Sequence, residues 1–322
     1  PSNYENLYTF FNEAVIPGED VTIRDKMIPS RFEERIYMTN ENEEGIFAFP
    51  WVSGYQGIFV NVTALKAALG ENYTLPRTTD EFVELCDEIK KSPVNSQDVK
   101  PFISAASAHY WNTMFSIWWA QYEGVENYEN YYNGVNKYGD YDVGVISQKG
   151  RLKSLEAIYS LISYESENSH SFSMEGNFVE CQARFFKGEA VFMPNGDWIE
   201  NEMTNLRGDD EIVVLKNPVI SDIVEKTSSV KKKAGEHEIS DDEMLRRIVD
   251  AVDANETGYE GIDQADYDFI KKARRTVSSI AGHEAYIPSY AAAKDLAKDF
   301  LLFMASDAGI ESFMRSTNGC RT

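Results

Sequence analysis

Several things are scarce in this chain of 322 residues, and each shortage narrows what it does. Cys86, Cys181 and Cys320 form no CxxC pair, which removes the usual zinc and redox motifs. Cys86 and Cys181 lie among apolar residues at helical spacing and read as small buried hydrophobes, whereas Cys320 carries no reading. No apolar run approaches the roughly 20 residues needed to cross a bilayer, and the start lacks a signal-peptide pattern. Basic residues are outnumbered, 31 against 53 acidic ones, for a formal net charge of -22. Such a surface repels phosphate backbones and anionic headgroups, so nucleic acid and membrane surfaces are disfavoured as partners. HExxH, GxSxG and the Walker loop are also missing, and no metal or cofactor is expected.

What is present is globular: 43% hydrophobic and 26% charged residues, with 18 Tyr, 18 Phe and 5 Trp. Residues 46–49 and 57–60 read as extended segments separated by an aromatic turn, Trp51 to Tyr55. Thr78 and Glu81 form a capping-box pattern ahead of a helix carrying Phe82, Leu85 and Ile89. HYWNTMFSIWWAQY (109–122) reads as an aromatic helix and NYENYYNGVNKYGDYD as a loop. GRLKSLEAIYSLISY reads as an amphipathic helix with Leu152, Leu155, Ile158, Leu161 and Ile162 on the buried stripe. A helix over 178–186 stops at Gly188, and strands follow at 190–193 and 211–215. Residues 221–275 turn strongly charged and read as an inserted helical segment or surface subdomain. Strands alternating with helices place the chain in the α/β class.

AVFMPNGDWIENEM (190–203) runs a strand into a sharp turn that holds no nucleophile. A hydrolase elbow would carry Ser or Cys there. This one carries Asn195, Gly196, Asp197 and Trp198, residues suited to holding a molecule.

Three segments, in order, resemble the carbohydrate-type extracellular solute-binding proteins of ABC importers: FAFPWVSGYQGIFVNVTALKAALG with LPRTTDEFVELCDEIKK, FFKGEAVFMPNGDWIENEM, and AYIPSYAAAKDLAKDFLLFMASDAGIESFM. The resemblance implies a two-lobed, periplasmic-binding-protein type II-like fold with hinge crossovers. Residues 1–56 and 280–316 would form a first lobe lacking its opening strands. Residues 57–279 would form the second, with 221–275 inserted and 317–322 a truncated tail. It further implies a monomeric, non-enzymatic binder outside the cytoplasm, lipid-anchored in its full-length parent, that passes a carbohydrate to an ABC-importer permease.

Sugars present apolar C–H faces and a hydroxyl rim, so a site for them combines flat rings with amide, carboxylate or imidazole groups. Trp198 is the leading candidate, with Asn195 and Asp197 beside it; helix capping and the helix dipole are the competing roles for those two. Trp51, Ser53 and Tyr55 lie at the first crossover, where hinge packing is the alternative. His283, Glu284 and Tyr286 lie at the second, where a surface turn is the alternative. Trp111, beside His109 and Asn112, is the cleft candidate of the aromatic helix, while Trp118 and Trp119 read as core.

Three further readings stay open. Asp197, Glu200 and Glu284 could supply the carboxylates of a carbohydrate-active enzyme. The same fold could take a polyamine, a peptide or a metal chelate. DANETGYEGIDQAD (253–266) reads as helix–acidic turn–helix; the alternative is a calcium loop, with partial spacing at Asp253, Asn255 and Thr257 and Gly258 at the sharp turn, but it closes two residues late, at Asp266. The sequons at Asn61, Asn72 and Asn255 would matter only in a eukaryotic secretory route.

Overall fold

The computed structural model describes residues 3–39, 42–105 and 110–317, with the side chains of 280–283 excepted. The chain opens with three short helices, α1 (Tyr8–Glu13), α2 (Ile23–Lys26) and α3 (Pro29–Glu33). Strands β1 (Tyr37–Met38), β2 (Glu44–Gly45) and β3 (Phe49–Asn61) follow, then α4 (Val62–Leu69), α5 (Thr79–Lys91) and β4 (Lys100–Phe102). Next come α6 (Trp111–Glu123), α7 (Val125–Asn133), α8 (Lys149–Ile162), α9 (Phe178–Phe186), β5 (Ala190–Gly196), α10 (Ile199–Glu202) and β6 (Ile212–Val214). Helices α11 (Ser228–His237), α12 (Asp241–Asp253) and α13 (Gln264–Arg274) precede β7 (Ser278–Ala285), α14 (Lys294–Ala305) and α15 (Asp307–Thr317).

The chain divides into two compact units, residues 1–55 with 279–322 and residues 56–278. The first packs Leu7, Phe11, Ile16, Ile23, Phe32, Phe49, Ile287 and Leu301 into its own core. The second is built on a mixed sheet of order β4-β5-β3-β6, in which β4 runs parallel to β5 and β3 antiparallel to both β5 and β6; β7 also pairs with β3. Ile58 and Val60 face one apolar layer and Phe59 the other, as the two-residue period of a strand requires. One layer holds α5, α6 and α8; the other holds α9 and the start of α10.

Local signals account for several boundaries. Thr78 caps α5 by accepting the Glu81 N–H, while the Glu81 carboxylate turns to the Arg77 backbone N–H at 2.6 Å and to its guanidinium. Asn177 and Glu180 complete a capping box on α9, and Gly188 follows that helix with φ +76.

Three expectations are corrected. Residues 51–55 form no turn: β3 continues through them, because Trp51, Val52 and Tyr55 suit an extended chain and Pro50 stands near the strand's start, where a missing N–H is tolerated. On α8 the buried positions are Gly150, Ser154, Ala157 and Leu161, whereas Leu152 and Leu155 are more than half exposed. Small residues win that face because α6 lies so close: a Cβ on Gly150 would sit 2.8 Å from the Trp119 ring, and the Ser154 hydroxyl donates to the Phe115 carbonyl at 2.6 Å. Residues 221–275 are no surface appendage either. Ile223, Val230, Leu245, Ile248, Val249, Tyr267 and Ile270 share one buried cluster with Phe82, Ile117 and Trp118. A charged outer face on α12 hides an apolar inner one.

Two acids of the 253–266 segment, Asp253 and Asp266, are engaged within the protein. Asp253 pairs with Arg274 at 2.7 Å and Lys216 at 3.3 Å, and Asp266 accepts from the Ser229 N–H and hydroxyl. The segment is the helix–acidic turn–helix of the sequence reading, α12 ending at Asp253 and α13 starting at Gln264, and the two terminal carboxylates of the alternative calcium loop have cationic or N–H partners. Cys86 and Cys181 are buried thiols, and Trp118 and Trp119 are core residues.

Candidate functional site

The most concentrated candidate site stands at the end of β5. The register sets Gln56 of β3 opposite Gly196 and Gly57 opposite Asn195. Beyond Gly196 the chain turns through Asp197 into α10, whose first turn begins at Trp198. The half-buried Trp198 indole folds back flat over Gly196: a Cβ there would fall 2.2 to 2.4 Å from three ring carbons. Glycine is therefore the one residue that lets this ring lie on the strand end.

Tyr110, immediately before α6, supplies a second ring, with its centroid 6.1 Å from that of Trp198 and the planes tilted by 43°. Burial pushes the Tyr110 phenol up in pKa, and a side-chain hydrogen bond with Trp198 works in the opposite direction. Next to them the Thr113 hydroxyl donates to the Gln56 amide oxygen at 2.7 Å. That bond leaves the Gln56 NH2 as donor and the hydroxyl oxygen as acceptor. Two rings with an amide and a hydroxyl alongside can cover an apolar face and bond a polar rim, and they hold no nucleophile.

Asn195 does not belong to this surface. It is 1% exposed, its Oδ1 accepts the Gly196 N–H at 2.7 Å, and its Nδ2 lies 3.9 Å from the Met193 sulfur. Both ends of the amide serve the strand end, so its reading as a ligand contact is corrected to a structural one; nor does it cap α10, whose cap position is Trp198. Asp197 is half-buried at the turn. Trp111 lies one position past Tyr110, about 100° further round the helix, and faces elsewhere: its ring meets Phe102 edge-on at 5.2 Å and its N–H donates to Ser104 at 3.0 Å. It lines a cavity of about 1270 Å³ that none of the Trp198 group lines. His109 lies outside the described residues.

The remaining candidates belong to the other unit. Trp51 packs beside Phe49 at 6.0 Å, against the core there, and its Nε1 is buried with no hydrogen-bond partner among the described residues. Ser53 and Tyr55 are half-buried on the same strand. Glu284 pairs with Arg35 and accepts from the Tyr286 hydroxyl, which raises the pKa of that phenol; the Tyr286 ring lies 5.1 Å from Tyr4. The side chain of His283 lies outside the described ones. As for an acid pair, Glu200 is bound to Arg207 at 3.1 Å and Glu284 to Arg35, so each faces a cation of its own.

Tyr110, Gln56 and Thr113 carry the site and were not singled out from sequence. Tyr110 was overshadowed by the Trp beside it; Gln56 could have been found by continuing the strand's alternation past Tyr55.

No protein-family profile and no curated protein matches the sequence. Solved structures do match by fold. One is the apo form of RafE from Streptococcus pneumoniae, at TM-score 0.56 and 14% identity, covering 99% of this chain and 62% of that one. A sugar transporter from Bacillus licheniformis in complex with stachyose gives 0.59 and 12%, covering 99% and 64%. An ABC transporter solute-binding protein from Thermotoga lettingae bound with α-D-tagatose gives 0.60 and 12%, covering 99% and 62%. The chain has the two-lobed α/β fold of these solute-binding proteins and spans about three fifths of the length of the structures it matches.

Proposed function

We propose that this protein is the substrate-binding component of an ABC importer, capturing a sugar or small oligosaccharide and delivering it to a membrane permease. The units are then the lobes of the binder, and β3 and β7 its crossovers. The observation that carries the reading is the ledge formed by Trp198 on Gly196, with Tyr110, Gln56 and Thr113 beside it. The ligand class follows from that chemistry and from fold relatives crystallised with stachyose and tagatose. No helix among the described residues is long and apolar enough to cross a membrane. The protein works outside the cytoplasm, as a monomer held at the membrane by a lipid anchor. Binding, without chemistry, is its whole task.

A thermal-shift and calorimetric panel of neutral sugars, polyamines, peptides and metal chelates tests the proposal. A binder present at 100 times its Kd should add about 2.7 kcal/mol to stability. The expected result is a rise in Tm with at least one saccharide, abolished in Trp198→Ala, with the sugar recovered unchanged after prolonged incubation. A rise only with amines or peptides refutes the sugar class, and glycosidic cleavage refutes the non-enzymatic reading.

A further inference from the structure

The cavity lined by Trp111 is larger than the roughly 300–1,000 Å³ of ordinary small-ligand pockets. It lies wholly within the 56–278 unit. Lys100 and Glu189 on its wall stand at the start of β4 and just before β5, whereas the Trp198 ledge stands at the far end of β5. At about 3.3 Å per residue, the length of β5 puts roughly 20 Å between those two ends, while Trp111 adjoins Tyr110 of the ledge in sequence and is turned about 100° away from it on the helix.

The wall is polar yet nearly all its charges are answered. Lys100 is bound to Asp98 at 2.8 Å. Glu189 is held by Arg184 at 2.7 Å and by His170 Nε2 at 3.3 Å. His170 Nδ1 accepts the Phe172 N–H at 3.1 Å, so the ring is fixed as the Nε2–H tautomer; burial lowers its pKa and keeps it neutral. A free ion entering the cavity would have to compete with these pairs, whereas a neutral molecule would not. Serine hydroxyls line much of the remaining rim, Ser169 and Ser171 among them. Tyr164, 94% exposed, and Met174, 81% exposed, are two apolar side chains left in water that line the same cavity as the Trp111 ring. Aromatic faces, neutral hydroxyls and compensated charge together suit one chemistry.

We propose that this cavity is a second binding site for a neutral polyhydroxylated ligand of more than one sugar ring, gripped between Trp111 and Tyr164 and independent of the Trp198 ledge. The test is 15N-indole NMR on the full chain, whose five tryptophans give resolvable N–H signals. Trp111→Phe assigns the signal of interest. Raffinose, stachyose, maltotriose and chitotriose are titrated as neutral probes, with spermidine and glutamate as charged ones. The expected result is a saturable shift of the Trp111 signal with a neutral probe, retained in Trp198→Ala and lost in Tyr164→Ala/Met174→Ala, whose exposed sites leave the fold intact. Loss of the Trp111 shift in Trp198→Ala, its survival in Tyr164→Ala/Met174→Ala, a shift with charged probes only, or no shift at all would each overturn the proposal. A Trp198 shift without a Trp111 shift defeats this site alone and leaves the proposed function standing.

Discussion

Replacing Gly196 by alanine tests the aromatic ledge at the point where it has least room. The added Cβ would sit 2.2 Å from the nearest carbon of the Trp198 ring, whereas carbon atoms pack at about 3.5 Å or more. The ring must therefore retreat by about 1.3 Å or turn about its χ angles. Either movement disturbs the 6.1 Å contact between its ring and that of Tyr110. Overpacking of this kind costs about 1–3 kcal/mol of stability. A displaced ring loses most of the ~0.5–1.5 kcal/mol that an aromatic contact contributes beyond its buried area, plus part of the area term. A loss of about 1–2 kcal/mol in binding is expected, which is ~5–30-fold in Kd. Isothermal titration calorimetry with the tightest sugar from the panel measures it, and a double-mutant cycle fixes its origin. If Gly196 acts only through the ring, Gly196→Ala adds nothing to Trp198→Ala. Wild-type affinity in Gly196→Ala, or full additivity of the two changes, would refute the reasoning.

Further outcomes follow from the packing and charges. Gly150→Val should cost about 1–3 kcal/mol by pushing α8 off Trp119 and Glu123, while Leu155→Lys on its exposed face should stay within about 0.5 kcal/mol; urea unfolding monitored by circular dichroism separates them. Lys149 and Tyr122 hold the Glu225 carboxyl at about 2, below its ordinary 4.5. The group binds fewer protons folded than unfolded, so its stabilisation is present above pH 4.5 and is lost as pH falls toward 2. Glu225→Gln should flatten the dependence of Tm on pH in that window, and an unchanged slope counts against the pairing. Arg274→Met strands Asp253 beside Lys216 alone and leaves the Asn217 carbonyl without its donor; a loss of about 3 kcal/mol is expected in chemical denaturation. Millimolar calcium should leave the wild-type Tm unchanged.

The α/β class, α5 and its cap, the core roles of Trp118 and Trp119, and the turn that carries Trp198 were legible because each rests on local chemistry. What escaped depends on distance in three dimensions. The burial of α8 through Gly150, Ser154 and Ala157 reverses its hydrophobic pattern, and only the closeness of α6 explains it. The charged composition of 221–275 concealed Ile248, Tyr267 and Ile270, whose value lies in what they touch. Asn195 looked available because sequence places a residue at a turn without saying which way its amide faces. Tyr110 and Gln56 come from segments far apart in the chain, and only the strand register and the helix start bring them to Trp198.

The division of the chain has a consequence for its birth on the ribosome. Residues 56–278 are continuous and carry β4, β5, β6, the second half of β3 and the core they cover, so that body can consolidate as soon as it has emerged. The smaller body cannot: Leu7, Phe11 and Phe49 must wait for Ile287 and Leu301, which arrive only after the whole intervening stretch has been synthesised. Until then its apolar side chains are the part of the nascent protein most open to mispairing, and the loop that joins its two pieces is closed most cheaply when the larger body has already drawn their ends in.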